Sequence, residues 1–341
     1  MYLLPRPQEM LLQDNVFYVD YTAEICIDPE ASPEWLHYAS LLQKEIEQDT
    51  GFHLNINRNL PVFQTPSILL KSTSGHSQQE YTLRIRESGI LLTASSNSGM
   101  LYAIQTLRQI IRQEGACLPG LDIHDFPVIS NRGLYYDVTR GRIPTLSYLK
   151  KMADTLSFYK INQLHLYIEH TYMFRNLSEV WRDDTPLTSS DILELDRYCA
   201  DLGIELVPSI ASFGHLYKIL RTKSFRHLCE REDLCEEPFG FIDRMEHHTI
   251  DVSNEESFSF IWSLIEEYLP LFRSDKFNIC GDETFDLGTG KSHELAEREG
   301  TQQLYIQYIK KLCDALVTHG KTPMFWGCLL YTSPSPRDKR Q

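Results

Sequence analysis

The stretch ICGDETFDLGTGKS, Ile279 to Ser292, holds two kinds of chemistry at once. Its end, GTGKS, has the residue types of a phosphate loop. Its middle places Asp282 and Glu283 side by side. The phosphate reading fails on spacing. Such a loop needs a glycine five positions before its Gly-Lys-Ser, so that backbone amides can curl around the phosphates, and that position is Phe285. The carboxylates remain. Two acids sharing a pocket at a strand end divide into a charged group and a proton donor. Acids there can equally cap a following helix. Other groups have matching placement. In QLHLYIE (163–169), Leu164, Leu166 and Ile168 share one face and His165, Tyr167 and Glu169 the other. In NRGLYYDVTRGR, Arg132 precedes a strand, and Asp137 and Arg140 lie at its end. Arg140 is either a forked donor for hydroxyls or carboxylates, or half of a structural pair with Asp137. His215 follows another strand in SFGH. His247, His248 and Asp251 resemble metal ligands in type only. Adjacent histidines do not readily face one ion and no ligand spacing accompanies them, so neither a metal nor a cofactor is expected.

These residues need a scaffold that collects strand ends. From about residue 128 the chain alternates strands and helices. The strands are GLYYDV (133–138), QLHLYIE (163–169), IELVPSI (204–210), FNICGDE (277–283) and PMFWG (323–327), with helical segments between them. Alternation of this kind implies a parallel sheet. The long loops after the strands suit a TIM-type (β/α)8 barrel with its chemistry at the strands' C-terminal ends. Five of eight strands are found, an incomplete barrel. Residues 1–127 read as a small α/β sandwich domain. FYVDYTAEICID reads as a strand, SPEWLHYASLLQKEIEQDTG as a helix, EYTLRIRESGILLTASS as a hairpin, and SGMLYAIQTLRQIIRQEG as a second helix. LPGLDIHDFPVIS reads as a linker. The catalytic segment is then 128–327.

The 341-residue chain has a formal net charge of −14, which argues against nucleic acid and anionic membrane as partners. Pro5, Arg6 and Pro7 interrupt the start, which lacks the apolar core of a signal peptide. The eight cysteines are scattered without a CxxC. A cytoplasmic protein without disulfides is the expectation. Residues 328–341, CLLYTSPSPRDKRQ, break with everything before them. Cys328 to Asp338 back-translates to a transposase-type sequencing adapter over eleven codons. The expectation is a gene that continues past Gly327 and was cut by a library artefact, leaving a poorly soluble, inactive product. A re-read of the source DNA across codon 327 decides it.

Together, Arg132-Gly133, Asp137, Arg140, Leu164-His165, Gly214-His215 and Gly281-Asp282-Glu283 resemble glycoside hydrolase family 20, the β-N-acetylhexosaminidases. The resemblance extends to LLPRPQEM and SGMLYAIQTLRQII in the first domain and MFWG in the fifth barrel strand. It implies an exo-acting enzyme that removes terminal β-linked N-acetylglucosamine or N-acetylgalactosamine, with a glycan as partner. It also implies substrate-assisted retaining catalysis, in which the 2-acetamido oxygen attacks the anomeric carbon. By that resemblance Glu283 is the general acid and then base, and Asp282 holds the acetamido N–H. His215 stands behind Glu283, Arg132 binds ring hydroxyls, and Trp326 lines the acetamido pocket. Asp137, His165 and Glu169 join the substrate site. One departure matters. The family places an acid where His170 stands here, and Glu169, one residue earlier, is the expected replacement partner for His215. The alternatives are a retaining glycosidase with an enzymic carboxylate nucleophile, or a glycan-binding protein on a degenerate barrel.

Overall fold

Apolar residues at every second position build the strands of the first half. The computed structural model describes residues 1–59, 66–240 and 242–327. Seven strands form one mixed sheet: β1 (Glu9–Tyr18), β2 (Glu24–Ile27), β3 (Asn55–Asn57), β4 (Ser67–Ser72), β5 (Tyr81–Arg86), β6 (Gly89–Ala94) and β7 (Cys117–Asp125). Their order is β1-β7-β5-β6-β4-β2-β3. Tyr81, Leu83 and Ile85 of β5 and Ile90, Leu92 and Ala94 of β6 are buried, as strict alternation on a half-covered sheet requires. The helix Trp35–Thr50 ends on Gly51, whose φ of 79° is the left-handed C-cap that lets its N–H reach Glu47 O. The helix Asn97–Glu114 starts at Ser96, whose hydroxyl accepts from Gly99 N at 3.0 Å. Its stripe of Leu101, Ile104, Leu107 and Ile111 is fully buried.

Three expectations for this half are corrected. FYVDYTAEICID is not one strand, because residues 19–23 separate the end of β1 from β2. Two strands, β3 and β4, were not foreseen. LPGLDIHDFPVIS is largely β7, paired to both β1 and β5, rather than a linker. Pro119 and Gly120 are residue types that ordinarily weaken a strand. The structure accommodates them at an irregularity in β1 between Leu12 and Val16, with Pro119 opposite Val16. A Cβ on Gly120 would lie 1.9 Å from Asn15 Oδ1. The glycine is what lets the bulged strand pass.

The second half forms a five-stranded sheet of β8 (Gly133–Asp137), β9 (Gln163–Ile168), β10 (Glu205–Ile210), β11 (Lys276–Asn278) and β12 (Thr322–Met324), in the order β12-β11-β10-β9-β8. The β9–β10, β10–β11 and β11–β12 pairs are parallel. Helices Leu146–Phe158, Ser189–Asp201, Glu255–Tyr268 and Thr301–Thr318 alternate with them. Neighbours in space following order in sequence is the winding of a (β/α)8 barrel, and five of its strands are present among the described residues. Every residue of β9 is buried, as expected of a strand covered on both faces. Residues 328–341 lie outside the described residues. Among the described residues no helix is long and apolar enough to cross a membrane.

By its contacts the chain divides into two compact units. One comprises Met1–Gly133, Met152–Asn162 and Ala200–Ile204. The other comprises Leu134–Lys151, Gln163–Cys199 and Glu205–Gln341. The first unit holds a buried ion pair, with Lys160 Nζ 2.9 Å from Asp125 Oδ2 and 2.8 Å from Tyr81 OH. Tyr81 OH also donates to Asp125 Oδ2 at 2.8 Å. Burial holds the Lys160 pKa below its ordinary value, against the pull of Asp125. Asp125→Ala leaves that ammonium uncompensated and is expected to cost about 3–5 kcal/mol in denaturant unfolding. Adding Lys160→Met should recover most of the loss. A double variant as unstable as the single one would show that the charge is not what is missing.

Candidate active site

The site forms where β10 and β11 end. Strand β11 stops at Asn278, five residues short of Glu283, because Asn278 Oδ1 takes the Cys280 N–H at 2.9 Å and turns the chain. The next residues climb in left-handed steps, with φ of 59° at Cys280, 81° at Gly281 and 49° at Glu283. Two of these three carry a Cβ, a conformation costing on the order of 1–3 kcal/mol each and held only by surrounding contacts. Those contacts come from the loop after β10. Ser212 Oγ donates to Ile279 O at 2.6 Å, and Tyr308 OH donates to Ser212 O at 3.1 Å. Gly214 lets the two loops touch, since a Cβ there would fall 2.8 Å from Asp282 O. The next residue, His215, is itself left-handed at φ 61°. The turn points its ring at both acids.

His215 Nε2 lies 3.3 Å from Glu283 Oε2 and 3.5 Å from Asp282 Oδ2. These are ion-pair contacts rather than completed hydrogen bonds, for Nε2 and Asp282 Oδ1 both lack a hydrogen-bond partner. His215 is buried, Asp282 partly so, and the Glu283 side chain is 45% exposed. Burial pushes the Asp282 carboxyl up, but His215 and the Asp282 backbone amide outweigh it, so the group titrates below its ordinary value and stays charged. The open acid can therefore meet a leaving group while its neighbour holds a fixed negative charge. The three residues also bring one ligand atom each within 4.8 Å of one another, a spacing a cation could bridge. His247 turns instead to Asp286, at 2.9 Å, and Asp251 caps Ser253. His248 N donates to the other oxygen of Asp286 at 3.0 Å, and among the described residues these three side chains form no group with ligand spacing.

A second cluster sits at the ends of β8 and β9. Asp137 Oδ1 accepts from Thr139 N at 2.8 Å and Arg140 N at 3.0 Å, and Oδ2 receives Arg140 Nη1 at 3.1 Å. Arg140 Nη2 reaches Glu169 Oε1 at 2.8 Å and Tyr167 OH at 3.3 Å. Below this rim lies an aromatic floor. Tyr135 packs at 5.8 Å on Tyr167, 6.0 Å on His165 and 5.3 Å, edge to face, on Trp326. Its hydroxyl meets Ser209 Oγ at 2.9 Å and Cys280 Sγ at 3.6 Å. Burial pushes the Cys280 thiol up to about 12, so it remains a neutral part of the floor. Trp326 is anchored by its backbone N–H, which donates to Cys280 O at 2.8 Å, and the residue is 41% exposed.

Of the residues expected from sequence, Glu283, Asp282 and His215 converge, and Trp326 lies beside Cys280 of the same turn. The other four have different surroundings. Arg132 precedes β8, at the strand's N-terminal end. Its guanidinium is spent on Gln79, Tyr102, Lys160 O and the carbonyls of Ile129 and Ser130. Arg140, at the other end, is the forked cation of the rim. Asp137 uses its two oxygens on the Thr139 and Arg140 amides and the Arg140 guanidinium. His165 is buried against Tyr135, two residues of strand below Tyr167, in the floor and not the rim. Glu169 pairs with Arg140 and Tyr167, and among the described residues no hydrogen bond or ion pair joins it to His215. Tyr135 and Tyr167 were not foreseen as site residues. The alternation that put His165 and Glu169 in the lumen already placed Tyr167 between them.

The GTGKS loop also finds its meaning. Its amides do cradle an anion, but a protein one. The buried Glu230 carboxylate accepts from Gly290 N at 3.0 Å, Ser292 N at 3.1 Å and Ser292 Oγ at 2.7 Å. A Cβ on Gly290 would sit 2.0 Å from Glu230 O. The segment that follows the acid pair is tied down this way.

Comparison with known proteins places the chain among glycoside hydrolases. The model for the glycosyl hydrolase family 20 catalytic domain matches residues 130–339, and that for domain 2 of the same family matches residues 1–126. The chain belongs to glycosyl hydrolase family 20. It is 24% identical to a β-hexosaminidase of Porphyromonas gingivalis over 98% of this chain and 46% of that protein. It is 26% identical to a β-hexosaminidase of Akkermansia muciniphila over 89% of this chain and 62% of that protein. Among solved structures, the fold matches Flavobacterium johnsoniae chitobiase with a TM-score of 0.82 at 22% identity, over 98% of this chain and 55% of that one. Streptomyces plicatus N-acetyl-β-hexosaminidase gives 0.80 at 21%, over 98% and 67%. The chain spans about half the length of the curated relatives it matches.

Burial raises the Glu169 carboxyl above its ordinary value, with Arg140 and His215 pulling it back. A raised folded-state pKa contributes stability below the unfolded value that is lost as pH rises through the folded one. Glu169→Gln lacks that loss. In denaturant unfolding the variant should therefore gain on the parent as pH climbs from about 4 towards neutrality. A parent that instead gains on the variant would mean that the Arg140 pair outweighs desolvation.

Proposed function

We propose that the chain performs the chemistry of an exo-acting β-N-acetylhexosaminidase, releasing terminal β-linked N-acetylglucosamine or N-acetylgalactosamine with retention. The observation that carries this reading is the His215–Asp282–Glu283 cluster, a half-exposed acid beside one whose carboxyl is held below its ordinary pKa. Glu283 donates its proton to the glycosidic oxygen as the bond to the anomeric carbon breaks. The substrate's acetamido oxygen closes on that carbon from the opposite face, forming an oxazolinium ion. Asp282, kept anionic, accepts the acetamido N–H and stabilises the positive charge that spreads over the ring. Glu283, now a carboxylate, takes a proton from water, which opens the oxazolinium and restores the β-anomer. His215 offers Nε2 to both carboxylates and so links their charges. Trp326, its edge set against Tyr135, supplies an apolar wall for the acetamido methyl. Arg140 supplies forked donors for ring hydroxyls.

With an aryl β-N-acetylglucosaminide as substrate, Glu283→Gln in the full-length protein is expected to lower kcat by roughly 10²–10⁴-fold. A thiazoline mimic of the oxazolinium should inhibit the parent competitively. Inhibition without effect of Glu283→Gln would move the acid elsewhere. Loss of activity without thiazoline inhibition would favour an enzymic nucleophile.

A further inference from the structure

The Glu283 side chain is 45% exposed, and among the described residues its carboxylate has one polar contact, His215 at 3.3 Å. Its place is therefore set by its backbone. Three residues further on, that backbone is fastened again. Asp286 is buried and divides its carboxylate between two neighbours. Oδ1 meets Nδ1 of His247 at 2.9 Å, and Oδ2 accepts the backbone N–H of His248 at 3.0 Å. A carboxylate only accepts, so the imidazole proton facing it sits on Nδ1. His248 in turn offers its carbonyl to Leu216 N, the residue after His215, at 3.3 Å. One residue thus ties the chain that follows the histidine to the chain that follows the acids. Its φ of 71° aims N–H and carbonyl at the two loops, a left-handed conformation that a residue with a Cβ keeps only under outside constraint. The strap it belongs to is anchored in its own right. Ile250 N donates to Phe213 O at 3.0 Å, Glu230 N donates to Thr249 O at 2.9 Å, and the His247 ring stacks on Phe239 at 4.4 Å. Between Glu283 and Asp286 the chain has no slack, because Leu287 N donates to Thr284 O at 3.2 Å and closes a turn. A shift of Asp286 is passed on to Glu283.

We propose that Asp286 is a positioning residue for the proton-transfer step. Through His247 and His248 it holds the Glu283 backbone where the carboxyl reaches both the glycosidic oxygen and His215. The inference rests on the hydrolase reading for the destination of the proton and on the strap alone for the placement. Asp286 touches no substrate and acts only through Glu283. Misplacing a reacting group by about 1 Å can cost about 10²-fold in rate. That loss appears only where the proton is needed, since a leaving group that departs as a stable anion gains little from a general acid.

The test uses the full-length protein and compares kcat/KM on phenyl and 2,4-dinitrophenyl β-N-acetylglucosaminides. Phenolate leaves poorly and needs the proton of Glu283, whereas dinitrophenolate leaves without it. Asp286→Ala should lower kcat/KM on the phenyl glycoside by roughly 10–100-fold, and on the dinitrophenyl glycoside by no more than about threefold. Asp286→Asn keeps one oxygen for the His248 amide and should recover most of the loss. His247→Leu, at a partly exposed position, removes one partner of Asp286 and should show the same split between substrates in smaller size. It carries the test if Asp286→Ala does not fold. Equal losses on the two glycosides, or none, would overturn the inference. A crystal structure of the variant gives a reading that needs no turnover. Glu283 displaced from His215 upholds the inference, and Glu283 still 3.3 Å from His215 Nε2 overturns it. A parent that hydrolyses neither glycoside removes the hydrolase reading, and the crystal structure then decides the placement by itself.

Discussion

The contact on which everything else depends is the one between the two loops that leave β10 and β11. It brings Gly214 against the Asp282 carbonyl and forces Cys280, Glu283 and His215 into left-handed backbone. Of the local contacts, Asn278 Oδ1 on the Cys280 N–H helps turn the chain. The left-handed conformations persist because Ser212 and Asn278 hydrogen-bond the turn, Tyr308 holds Ser212 in place, and the loop after the turn is tied to Glu230. The strain is repaid in geometry. Adjacent residues on a regular strand point to opposite faces, and only a chain bent this sharply can present Asp282 and Glu283 to one histidine.

The bent turn then sorts the charges. Asp282 is partly buried beside His215 and stays ionised, while Glu283 faces outward from the same imidazole. Across the rim, Asp137 holds Arg140 and Arg140 in turn holds Glu169, a chain of ion pairs on an aromatic floor.

The sequence disclosed the parts of this arrangement that periodicity controls. Strand–helix alternation revealed the parallel sheet, because a strand buried on both faces has to read as β9 does. The acid pair was visible because two carboxylates at a strand end are costly without a purpose. What stayed hidden was set by long-range packing. Whether Arg132 or Arg140 belonged to the rim depended on which end of β8 each occupied and on partners as remote as Gln79. Strand β7 contains Pro119 and Gly120, whose accommodation depends on an irregularity in β1 more than a hundred residues earlier. GTGKS looked like a ligand loop because it is built as one, and only the fold supplies its ligand, Glu230.

The central claim is that the strained turn positions a charged aspartate for a nucleophile that belongs to the substrate. It is tested most directly by the rates on aryl glycosides whose N-acyl group runs from acetyl through mono-, di- and trifluoroacetyl. Each fluorine withdraws electrons from the attacking amide oxygen and leaves the leaving group unchanged. The account predicts that kcat/KM falls steeply and steadily along the series. A flat series would contradict it, because the bond to the anomeric carbon would then be made by the protein and Asp282 would have another task.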